Sequence, residues 1–244
     1  GMSMDEYALY DRDEPGVSGF ERELYDAVTE EEPWALVEEF AGLERVSGSA
    51  DERRAADYIT GRLDAFGVPY ERHEPELYLS IPGEASLVAG GESFDADAVK
   101  TVSFGGGAAA GELYAVGGDE AEGHGGLLAA DLSGVEPADV AGKVVVLTSI
   151  LPIGAVFDLQ EMGAAGVVVK HPHEREPHEG IATSVWGGAP EPGEEGRVPE
   201  IPVLTVSAPV GDRLYELAAE GASAACTAET TEGYLGGGRP PEYE

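Results

Sequence analysis

The sequence predicts a mixed α/β chain: N-terminal helices, then a β-rich region, then β-α-β units. Three observations predict it. Capped amphipathic periods fill residues 18–67, short strand-like runs broken by glycine fill 68–118, and continuous Val and Leu runs alternate with helical periods from Gly142 onward. At 244 residues the chain is long enough to bury a sizeable core.

Residues 2 to 17 show no sustained period and carry Asp11, Asp13, Glu14, Pro15 and Gly16, so an arm is expected over 1–17. Gly1-Met2 reads as a cleavage scar ahead of the initiator. Ser18 with Glu21 has capping-box spacing, and Phe20, Leu24, Ala27 and Val28 recur at helical intervals as far as Pro33. Pro33 suits the first turn of a second helix, with Trp34, Val37, Phe40 and Ala41 on one face and a stop near Gly42. Ser49 and Glu52 make a second capping box. It opens a helix with the stripe Ala55, Ala56, Ile59, Leu63 and Phe66, ended by Gly67 in a left-handed conformation.

Strand-like runs follow at Pro69 to Ile81, Ala85 to Ala89, Val99 to Phe104 and Glu112 to Val116, and these are expected to pair among themselves. The tract Gly105 to Gly111 lacks the Gly-Lys-Ser/Thr ending of a phosphate loop, so it reads as a flexible hairpin connection. From Gly142-Lys143 the order is a strand at Val144 to Leu147, a helix at Ile153 to Met162, the break Gly163 to Gly166 and a strand at Val167 to Val169. A polar loop then runs from Lys170 to Glu200. A strand at Ile201 to Val206, a helix capped by Ser207 and a strand within Ala222 to Ala228 complete a second β-α-β unit. Continuous apolar strands between helices imply a sheet covered on both faces.

Forty-eight acidic residues face 14 basic ones, a formal charge of −34 spread along the whole chain. Self-repulsion at this density disfavours compaction in dilute buffer, and molar salt shortens the screening length to about 3 Å. The composition therefore fits a salt-rich cytoplasm. Nucleic acid is excluded as a ligand class because its binding rests on phosphate neutralisation by Lys and Arg. A membrane span is excluded because no apolar run approaches the roughly 20 residues needed. Cys226, the only cysteine, lies in a run of small residues and reads as core.

The ordered set Gly142-Lys143 before a strand, Gly163 to Gly166 before the next and Ile201-Pro202 before the third resembles the protease-associated domain. The stretch Arg45, Ser47, Gly48, Ser49, then Ala55, Ala56, Tyr58, Ile59 is similar to the N-terminal helices of zinc-dependent aminopeptidases and glutamate-carboxypeptidase-like metallopeptidases, in which such a domain is inserted. The resemblance implies helices over 18–67, a protease-associated domain over 68–234 that includes its β-rich first part, and a tail over 235–244. It implies zinc in the full-length relatives. Their co-catalytic site needs an early His-x-Asp, a bridging Asp, a Glu-Glu pair, another acid and a late His. None of the five histidines, His73, His124, His171, His173 and His178, begins His-x-Asp, and the pairs Glu38-Glu39 and Glu194-Glu195 lack strand context. No Gly-x-Ser-x-Gly elbow occurs. The expectation is a chain without catalytic residues and without a cofactor of its own.

Two features remain as candidates. His171, His173 and His178, interleaved with acids, could offer ligands to a divalent metal from one loop, although their spacing matches no standard site. Trp186 in the same loop is a candidate recognition residue. The leading expectation is a non-catalytic protease-associated region that covers a substrate cleft, binds or regulates. Two alternatives stand beside it: the N-terminal portion of an active di-zinc aminopeptidase whose catalytic domain lies outside this chain, or a peptide- or protein-interaction module. The expected partner is a peptide, a protein, the catalytic domain itself or a second copy in a homodimer.

Overall fold

The computed structural model describes residues 17–117, 130–150, 152–172, 175–178, 180–183 and 198–236. Residues 1–16 of the predicted arm, His173, Trp186 and residues 237–244 of the predicted tail lie outside them. The chain divides into two compact units, Gly1–Arg72 and His73–Glu244.

The first unit is helical: α1 (Gly19–Ala27), α2 (Glu31–Ala41) and α3 (Ala50–Phe66). Ser18 and Glu21 close the predicted capping box, with Ser18 Oγ accepting from Glu21 N at 3.2 Å and Glu21 Oε2 accepting from Ser18 N at 2.6 Å. At α3 only half of the predicted box forms. Ser49 Oγ accepts from Glu52 N, but the Glu52 carboxylate takes the N–H of Gly48, one residue upstream. Gly67 ends α3 at φ 68°, in the left-handed region that its missing Cβ makes cheap. Phe40 meets Tyr58 edge to face at 6.0 Å, and Arg62 pairs with Glu32, joining α2 to α3.

The second unit is an eight-stranded mixed sheet in the order β2-β1-β8-β4-β5-β6-β7-β3. Its strands are β1 (Glu76–Ala89), β2 (Glu92–Ser93), β3 (Val99–Thr101), β4 (Gly107–Ala115), β5 (Val144–Thr148), β6 (Gly166–Lys170), β7 (Val203–Val206) and β8 (Ser223–Gly236). The short helix α4 (Pro137–Val140) precedes β5, α5 (Ile153–Glu161) links β5 to β6, and α6 (Ala208–Ala219) links β7 to β8. Strands β4, β5, β6 and β7 are mutually parallel. The sheet curls, because Thr101 Oγ1 donates to Glu84 O at 3.2 Å and Phe104 N donates to Ser80 Oγ at 2.8 Å, carrying the β3 end of the order back to β1.

Side-chain alternation along the central strands fills two cores. Val144 and Val146, Val168, and Leu204 and Val206 point to one face, where Leu214, Tyr215 and Leu217 of α6 cover them. Val145 and Leu147, Val167 and Val169, and Val203 point to the other, against Val156 and Leu159 of α5. The predicted coverage of both faces holds, and each fully buried Val or Leu contributes about 1.5–3 kcal/mol.

Several expectations are corrected. The runs at Pro69 to Ile81 and Ala85 to Ala89 are one strand that starts at Glu76 and is irregular between Pro82 and Ala85. The tract expected to be a flexible connection supplies the first half of β4, between β8 and β5. Small residues suit it there, because a Cβ on Gly111 would overlap the carbonyl of Gly142. Beyond the β1–β2 hairpin, the β-rich region does not pair with itself: β1 and β4 pair with β8, and β3 pairs with β7. The second β-α-β order is present as β7-α6-β8, but β8 runs antiparallel to β4 and extends eight residues past Ala228. Ser207 sits at the α6 N-cap without a side-chain capping bond.

Candidate functional site

The carboxyl ends of parallel strands are where α/β sheets place ligand groups, and here they gather polar side chains. Thr148 lies opposite Lys170 and Lys170 opposite Val206. The ladder continues one step, with Ser149 N donating to Lys170 O at 3.2 Å and His171 N to Val206 O at 3.4 Å. That register sets Ser149, His171 and Ser207 side by side at the ends of β5, β6 and β7. All three are buried, as is Thr183, whose segment runs parallel to Ser103. Ser149 Oγ has no hydrogen-bond partner among the described residues.

Two of the three candidate metal ligands meet at this end. The rings of His171 and His178 lie 5.4 Å apart with planes tilted by 47°, His171 buried and His178 exposed. Among the described residues no group of three or more His, Cys, Asp or Glu side chains comes together to hold a metal ion. A zinc set of three or four ligands is therefore not assembled by the described residues. The signal that brings Ser149 and Ser207 to His171 is register between strands far apart in sequence, which no local motif carries.

Beneath this end, Tyr215 of α6 spans two strands. Its hydroxyl donates to Val116 O at 3.1 Å and bonds Thr148 Oγ1 at 3.1 Å, and burial pushes its pKa up. Lys170 pairs with Asp212 and lies 5.8 Å over the Tyr215 ring. Arg213 grips Glu92 and Glu216, which raises the pKa of its guanidinium and holds the Glu92 carboxyl below the usual range. Cys226 is buried in the α6-side core as expected, and burial raises its thiol pKa, so it is not activated as a nucleophile.

Two surfaces complete the inventory. In the helical unit Trp34 is 62% exposed, Val37 50%, Ile59 42% and Phe66 58%, so much of the predicted apolar stripes of α2 and α3 faces outward within that unit. In the sheet unit a cavity of about 530 Å³ opens between Phe104, Gly106, Gly107, Pro199 and the β8 stretch 228–232.

Solved structures share this architecture. An aminopeptidase from Aneurinibacillus sp. strain AM-1 matches 86% of this chain at TM-score 0.55 and 17% identity, and a peptidase M28 precursor from Shewanella amazonensis SB2B matches 82% at TM-score 0.52 and 16% identity. The fold is aminopeptidase-related. The chain spans about half of those proteins, 47% of each. No protein-family model matches it, and no curated protein does. No described helix is long and apolar enough to cross a membrane.

Proposed function

We propose that this chain is the helical and protease-associated part of an aminopeptidase-like protein, with helices over 18–67 and the protease-associated domain over 68–234. It acts without peptidase chemistry of its own, covering a substrate cleft or binding and regulating a partner. The supporting observation is the outward apolar stripe of α2 and α3: Trp34, Val37, Ile59 and Phe66 are the kind of surface that a partner covers. The likeness to half of an aminopeptidase supports a catalytic domain as that partner, carried on another stretch of chain, and zinc then belongs to that domain. The charge of −34 supports a salt-rich cytoplasm as the setting.

The test is catalytic. The chain, incubated in molar KCl with zinc or cobalt and aminoacyl p-nitroanilides, is expected to show no turnover. Turnover that survives repurification and disappears with a chelator overturns the proposal in favour of an enzyme.

A further inference from the structure

The antiparallel ribbon of β1 and β8 outruns its neighbour. One edge of β8 pairs with β1 from Ala224 to Gly236, whereas the other pairs with β4 only from Ser223 to Ala228. From Glu229 onward no described strand pairs with that second edge. Backbone groups of an antiparallel strand point alternately to its two sides, so about half of the N–H and C=O groups over 229–236 face away from β1. An edge of this kind is a template for a further strand.

The cavity lies where the open edge begins, and 228–232 form one of its walls. Phe104 forms another. Its backbone sits at φ 63°, a conformation that costs a non-glycine residue energy, and it is held by the bond to Ser80 and by the Tyr78 ring at 5.7 Å. Gly106 and Gly107 leave the floor as bare backbone, and a Cβ on Gly106 would press on Thr230 Oγ1. An extended chain can thus enter the cavity while pairing along β8.

Charge selects the occupant. Glu229 and Glu232 flank the edge, both exposed. A second copy would bring the same acidic edge against itself, where carboxylates repel, in place of the cations that favour pairing. Lys or Arg opposite them is favourable. We propose that the open edge of β8 from Glu229 to Gly233 binds an extended peptide with Lys or Arg three residues apart, one on each face of the added strand as Glu229 and Glu232 are on β8, with the end of that strand in the cavity. This does not depend on the reading above, because a strand edge binds with or without a catalytic domain.

The test uses the full chain, at a salt concentration where circular dichroism shows it folded, and a fluorescein-labelled Val-Lys-Val-Val-Lys-Val peptide read by anisotropy. Two versions are N-methylated on alternate residues, one at the odd positions of the peptide and one at the even positions. Only one edge of the added strand faces β8, so one version is expected to bind at least tenfold more weakly than the other at identical charge. The double variant E229K/E232K is expected to lose at least tenfold in affinity with an unchanged spectrum. The milder Glu232→Gln, which should fold even if the double variant does not, is expected to lose about threefold. Lack of saturable binding, equal binding of the two methylated peptides, or unchanged affinity in a folded variant overturns the proposal. So does a dimer that excludes the peptide.

Discussion

Adding one methyl group at Gly111 should destabilise the protein, whereas the same change at Gly61 should stabilise it. Gly111 pairs with Ala224 inside β4, and glycine in a strand is ordinarily about 0.5–1 kcal/mol worse than alanine. Here the sign reverses. A Cβ at Gly111 would overlap the carbonyl oxygen of Gly142 and stand 3.3 Å from Gly142 C and Lys143 Cα, all backbone atoms with no rotamer to escape into. Overpacking of this kind costs about 1–3 kcal/mol, and a backbone neighbour puts it in the upper part of that range. Set against the ordinary gain, the net loss is about 2 kcal/mol. Gly61 lies within α3 with nothing within 4 Å of its Cβ position, so alanine there should gain about 1 kcal/mol. Urea unfolding in molar KCl, followed by circular dichroism, reads both. With a slope of about 1–3 kcal/mol per molar urea, the Gly111→Ala midpoint should fall by about 1 M. A midpoint equal to or above that of the parent would refute the close approach of β4 to the turn before β5.

Other outcomes follow from the same geometry. Tyr215→Phe removes a hydroxyl that satisfies Val116 O and Thr148 Oγ1, and it should cost about 1–2 kcal/mol in the same unfolding assay. The Glu92 carboxyl is held low by the Arg213 hydrogen bond, so its contribution is present above the ordinary carboxylate range and is lost as pH falls through its lowered value. Glu92→Gln should therefore flatten the acid limb of melting temperature against pH in molar KCl. The melting temperature itself should rise from low to molar KCl as the −34 charge is screened, and a salt-independent value would contradict the role given to repulsion. Light scattering in molar salt should show self-association that Trp34→Glu abolishes. Trp34→Ala should cost less than about 0.5 kcal/mol, since the side chain is 62% exposed.

Much of the fold is written locally. The Ser18 box, the Gly67 stop, and the continuous Val and Leu strands on either side of α5 follow from capping chemistry, glycine conformation and apolar runs, each decided within a few residues. The carboxyl-end cluster was only partly legible: histidines close in sequence marked His171 and His178, but Ser149 and Ser207 join them through pairing between strands. Tertiary structure alone decided the partners of the β-rich region. A glycine- and alanine-rich tract has weak strand propensity of its own, and it becomes the first half of β4 because β8 supplies a ladder along it and the Gly142 carbonyl leaves no room for a side chain at Gly111. The length of β8 and its open edge past Ala228 depend on where β1 and β4 begin, more than a hundred residues away in sequence. Such non-local pairing leaves no periodic trace in the strand itself, and the candidate peptide edge emerges only once the sheet is assembled.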